Sequence, residues 1–144
     1  MSADPSAPRV RVVIDANVLV AALIRTDGWT AQELSRSDVE WLAPAFLADE
    51  LKEHSTEYAE KAGCTRRQWA RRVASVMRHV RIVPADEVMA AARDARVRMV
   101  ESLDPDDAPY VATLVAAGAQ FLWTRDKLLL DTLPGIAVSV VPRT

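Results

Sequence analysis

Six carboxylates stand where this sequence could do chemistry. Asp15 follows the apolar run Val10–Ile14 directly, and Asp126 follows a second such run at 121–124 after only Arg125. Asp104, Asp106 and Asp107 crowd the start of a helical stretch that feeds that second run, and Glu50 lies in the helix after a strand-like run at 39–43. Carboxylates gathered in one place repel each other and retain protons unless a cation neutralises them. Hard divalent cations such as Mg2+ or Mn2+ take oxygen ligands, and two of them about 4 Å apart can activate water and stabilise a leaving oxygen in phosphodiester hydrolysis. Each residue alone has a plainer reading. Asp15, Asp107 and Asp126 each precede a helix, where Asp is a preferred cap. Glu50, with Asp49, Glu53 and Glu57 nearby, reads by itself as a solvated helix carboxylate. Their joint placement is what points to a metal site, because ligands of an open α/β sheet bind outside the carboxyl ends of the strands.

The elements that must position them alternate. Val10–Ile14 is short, β-branched and apolar, the pattern of a buried strand, and residues 16–25 read as a helix. Asp27-Gly28 marks a turn, and Thr30 with Glu33 forms a capping-box pattern opening a short helix. Residues 39–43 read as a second strand closed by Pro44, and 45–54 as a helix. Thr65 caps a long helix with an apolar stripe of Trp69, Val73, Val76, Met77 and Val80. Residues 80–83 form a third strand, and Val88, Ala91, Ala92, Ala95 and Met99 the stripe of the next helix. A helix over Ala108–Ala117 stops at Gly118. A fourth strand at 121–124, a helical turn at 127–131 and a last strand at 136–141 complete the chain. This predicts a three-layer α/β/α fold with a mostly parallel central sheet of about five strands.

Composition sets the outer limits. A chain of 144 residues, half of them hydrophobic, has the size and apolar content of one folded domain, expected over 9–144, with 1–8 as a disordered tail. The sequence offers no apolar run long enough to span a bilayer and no signal-peptide core, so a cytoplasmic protein with no membrane association is expected. Cys64 is alone, which excludes an internal disulfide and a cysteine zinc site. The net charge of −2 hides an asymmetry, since residues 61–98 hold ten basic side chains against Asp86, Glu87 and Asp94, a balance of +7. Arg66, Arg67, Arg71 and Arg72 of the long helix form either a solvated face or an RNA-binding one. Trp29, beside Gly28, is the tryptophan placed to stack on a base. His54 and His79 read as ordinary helix residues.

The segments RVVIDANVL, LADELKEH and DPDDAPYVATLVAAGAQFLWTRDKLLL together resemble the PIN domain family of metal-dependent nucleases, which includes the toxins of many prokaryotic toxin–antitoxin pairs. The resemblance spans most of the chain, although 55–100 carries no motif. It selects Glu50 and implies Asp15, Glu50, Asp107 and Asp126 as catalytic metal ligands, with Asp104 as a further ligand. Asn17 and Thr124 would be supporting residues, Asn17 orienting Asp15. The family usually has a single Asp before the penultimate helix, whereas Asp104, Asp106 and Asp107 compete here. Asp107 is placed nearest the sheet mouth, and Asp106 is expected to face solvent. The resemblance further implies RNA as substrate, products with a 5′ phosphate and 3′ hydroxyl, Mg2+ or Mn2+ as cofactor, a homodimer and a small antitoxin partner. A PIN-like binding module with little catalysis is the alternative, and would be favoured by a missing carboxylate. An aspartyl-nucleophile phosphatase fits poorly, because Asp15-Ala16-Asn17 lacks the second Asp of the Asp-x-Asp that such enzymes carry.

Overall fold

The computed structural model describes residues 9–143, so the tail expected at 1–8 lies outside the described residues. Five strands of the described residues form one sheet: β1 (Val10–Ile14), β2 (Val39–Pro44), β3 (Val80–Val83), β4 (Phe121–Trp123) and β5 (Ala137–Val138). Their order is β3-β2-β1-β4-β5 and every pairing is parallel. A parallel sheet covered on both faces needs strands apolar on both sides. Val12, Val13, Ile14, Leu42, Leu122 and Trp123 accordingly lie fully buried at its centre.

Among the described residues nine helices flank the sheet: α1 (Ala16–Ile24), α2 (Trp29–Glu33), α3 (Ala45–Glu53), α4 (Ser55–Ala62), α5 (Arg66–Met77), α6 (Ala85–Ala90), α7 (Ala95–Leu103), α8 (Ala108–Ala117) and α9 (Lys127–Thr132). α1 packs with α2 to α5, α8 packs with α6, α7 and the strands, and α9 lies against β5. The result is the three-layer α/β/α arrangement read from the alternation. From β1 the chain builds outward through β2 to β3, then returns to the other side of β1 with β4. The crevice where order reverses is thus between β1 and β4, where Ile14 pairs with Trp123 and the Asp15 amide donates to the Trp123 carbonyl at 3.0 Å.

Four local expectations need correction. The capping box at Thr30 and Glu33 does not form: α2 starts after Gly28 with no side-chain cap, and the buried Thr30 hydroxyl accepts from Arg125 instead. Glu33 is drawn to Arg143 at 2.7 Å and Arg36 at 3.5 Å. The single helix expected after β3 is two, because Asp94 breaks it and caps α7 by accepting from the Arg96 amide at 2.8 Å. Val97 and Val100, not Met99, then face the core. Val80 belongs to β3 rather than to the stripe of α5. The last strand is only Ala137–Val138. Thr65 does cap α5, its hydroxyl accepting from the Gln68 amide while the Gln68 side chain accepts from the Thr65 amide.

Candidate metal centre

The site grows from the ends of β1 and β4. Asp15 leaves β1 in extended backbone and caps α1, its Oδ1 accepting from the Ala16 amide at 2.8 Å. Its Oδ2 accepts from the Thr124 hydroxyl at 2.6 Å, and that hydroxyl in turn accepts from the Asp126 amide at 3.0 Å. One buried hydroxyl therefore ties the Asp15 carboxylate after β1 to the backbone of Asp126 after β4. Burial pushes the Asp15 carboxyl above its ordinary range, while the bonds from Thr124 and Ala16 pull it back. Asp126 caps α9 through Oδ1, which accepts from the Leu128 amide at 2.9 Å.

Asp107 behaves differently. It holds the cap position of α8, but in αR backbone and with no side-chain cap bond. Its carboxylate faces inward at 8% exposure, and its Oδ2 is buried with no hydrogen-bond partner among the described residues. Burial first, then the neighbouring Asp126, Asp104 and Asp15, push its pKa up to about 7. Asp104 ends α7 and turns its own side chain back to accept from the Asp106 amide at 3.1 Å. One carboxylate oxygen from each of Asp104, Asp107 and Asp126 lies within 4.8 Å of the others. This is a donor set of oxygens alone, and one of its residues carries a buried acceptor without a partner, so it fits a hard divalent cation.

Asp15 and Glu50 lie outside that tight trio but line the same cleft of about 350 Å3, together with Asn17, Asp106 and Asp126. Glu50 projects from α3, and its Oε2 accepts a long hydrogen bond of 3.4 Å from the Tyr110 hydroxyl. Burial and the charge of Asp15 raise its pKa. Asp106 is exposed, yet it stands at the cleft rim rather than pointing away, and its charge also raises Glu50. Asn17 lines the cleft without bonding Asp15, the orienting role having gone to Thr124 and the Ala16 amide.

Two lining residues were not foreseen. Tyr110 is buried one turn after Asp107 on α8, its hydroxyl held firmly protonated by burial and by Glu50. Its spacing of three from Asp107 was the available signal. Tyr58 comes from α4, a helix the sequence reading did not identify. The arginines of α5 do not line the carboxylate cleft. Arg66, Arg67 and Arg71 are exposed, whereas half-buried Arg72 donates to the Leu23 carbonyl at 2.9 Å and so closes the end of α1.

A parallel sheet with acidic residues converging at its switch point is that of a protein of the α/β class whose ligand crevice lies between β1 and β4. Within that class the chain belongs to the PIN domain family, which it matches over residues 13–139. No curated protein matches it. Among solved structures it is similar to a chain in the crystal structure of VapBC2 from Rickettsia felis bound to a DNA fragment from their promoter. The TM-score is 0.64 at 13% identity, covering 89% of this chain and 96% of that one, a likeness of fold. Among the described residues no helix is long and apolar enough to cross a membrane.

Proposed function

We propose that this protein is a divalent-metal-dependent endoribonuclease acting as the toxin of a toxin–antitoxin pair. The observation that carries the reading is the meeting of one carboxylate oxygen each from Asp104, Asp107 and Asp126 within 4.8 Å of one another, beside which Asp107 keeps a buried Oδ2 with no hydrogen-bond partner among the described residues. Asp15, Glu50, Asp107 and Asp126 would hold Mg2+ or Mn2+, with Asp104 as an additional ligand. A divalent ion there supplies Lewis-acid chemistry, activating water and neutralising charge on a phosphodiester. The chain's own residues prepare the place. Thr124 and the Ala16 amide fix both oxygens of Asp15, the Leu128 amide fixes one of Asp126, and the Tyr110 hydroxyl steadies Glu50. Membership of the PIN family and the VapBC2-like fold support the toxin reading, with a small antitoxin, a homodimer, residues 9–144 as one domain and a cytoplasmic place of action.

The test is cleavage of single-stranded RNA by the purified chain with Mn2+, beside calorimetric titration of Mn2+ into the parent and Asp126→Asn. The parent should bind Mn2+ and leave 5′ phosphates. The folded variant should lose both properties. Mn2+ binding and cleavage unchanged in Asp126→Asn would overturn the site, and RNA binding without cleavage by the metal-loaded parent would leave a binding module.

A further inference from the structure

Arg125 stands between Thr124 and Asp126, yet it serves a different place. Asp126 turns into the carboxylate cleft, while Arg125 turns away and its Nη2 donates to the hydroxyl of buried Thr30 at 2.7 Å. There it lines a second cavity of about 310 Å3 with Ala21, Arg25, Gly28, Trp29 and Thr30. Among the described residues no carboxylate lines it. The Arg25 side chain is exposed and makes no hydrogen bond or ion pair among them. Trp29 is 47% exposed, with its ring braced edge-on against buried Trp123 at 6.1 Å. An aromatic face held rigid in solvent beside two guanidinium groups is what stacks a base and grips a phosphate.

Both cavities border α1. Asn17 and Val20 line the acidic cleft, and Ala21 and Arg25 line the basic cavity. Positions 17, 21 and 25 recur every four residues, so they form one stripe running about 12 Å along the helix. Stacked nucleotides rise about 3.4 Å each, so the stripe spans at most about three of them.

We propose that Arg25, Trp29 and Arg125 form a subsite for a nucleotide of single-stranded RNA a few positions from the phosphodiester held at the carboxylate cleft. The guanidinium groups take backbone phosphate, and Trp29 stacks an unpaired base, which requires a strand free of its complement. The subsite rests on the nuclease reading above. An acidic protein segment would also meet two arginines, but the exposed tryptophan and the continuity with a phosphate-handling cleft favour the nucleotide.

The experiment measures cleavage of a fluorescent single-stranded RNA with Mn2+ and, in chelator, its binding by anisotropy, for the full chain and for Arg25→Gln, Arg125→Gln, Trp29→Ala and Trp29→Phe. Arg25→Gln breaks no hydrogen bond of the fold, so its effect is free of misfolding. Trp29→Ala should raise KM and Kd at least about fivefold with kcat nearly unchanged, and Trp29→Phe should restore most of the loss. Each arginine variant should lower the log–log salt slope of binding by about 0.7. A cleaving parent whose KM, Kd and salt slope are untouched by the variants overturns the subsite and leaves the nuclease reading standing. A parent that binds RNA through these residues without cleaving it keeps the subsite and overturns the nuclease. Neither binding nor cleavage overturns both. Arginine variants that lose only binding to a hexaglutamate peptide assign the cavity to a protein partner and overturn the subsite.

Discussion

Thr124 carries more of the site than its size suggests, because its hydroxyl donates to Asp15 and accepts from the Asp126 amide while lying fully buried. Thr124→Val should leave Asp15 Oδ2 without its donor, cost about 1–3 kcal/mol in chemical unfolding, and weaken Mn2+ binding in calorimetry, whereas Thr124→Ser should keep both. Asp107 gives a pH prediction. Its folded pKa of about 7 lies above the ordinary value of 3.8. The folded state thus holds a proton that the unfolded state has released, and the stability this contributes is full below about pH 4 and lost as pH rises through about 7. In chelator, Asp107→Asn should therefore gain stability over the parent progressively between pH 4 and pH 8. A constant difference across that range would mean that Asp107 titrates normally. Ranked by lost cleavage, Asp107→Asn should exceed Asp104→Asn, which shares the trio, and Asp106→Asn at the rim should cost least. Metal titrations of the three variants check the order. At this scale the sequence was readable wherever a carboxylate followed a strand, as for Asp15 and Asp126. It was opaque at Tyr58, which reaches the cleft only through the tertiary path of α4, and it held only a spacing of three from Asp107 for Tyr110.

Helices with one apolar face announced themselves and the others did not. The Trp69, Val73, Val76 and Met77 stripe of α5 is periodic, and Thr65 caps it as read, within a capping box completed by Gln68. Thr65→Ala should cost about 1 kcal/mol in denaturant unfolding through loss of the bond to the Gln68 amide. By contrast α4, sequence STEYAEKA, buries only Ala59 and follows α3 with just His54 between them, so it has neither stripe nor separating turn. Its boundary is written instead in Gly63, which closes it in left-handed backbone at φ 67°. The stretch after β3 misled for the opposite reason. Its many alanines permit several helical stripes, and only the choice of Asp94 as a cap settles which residues face inward. In β5, packing beside β4 supports only two residues of the longer apolar run.

At the scale of the fold, the site carboxylates and the α5 arginines occupy different surfaces. The carboxylates gather at the β1–β4 crevice, while the exposed arginines of α5 lie outside that cleft. A cation that binds only the folded state should stabilise it, by about 2.7 kcal/mol at a hundredfold excess over its Kd. Mn2+ should accordingly raise the melting temperature of the parent at pH 8, more than at pH 5 where protons compete for the ligands, and leave Asp126→Asn unmoved. A scan showing equal shifts in both proteins would place the ion elsewhere. The strand order has a consequence during synthesis. Asp15 and Thr124 are 109 residues apart in the chain but share a hydrogen bond, and the remaining acids come from the stretch between and just beyond them. At about 5–20 residues per second, roughly 5–20 s pass between the making of Asp15 and of the threonine that orients it. Throughout that interval the nascent chain lacks β4 and with it Asp126. A polypeptide emerging among ribosomal and messenger RNA therefore has no assembled carboxylate cluster until β4 and the residues just after it have been made.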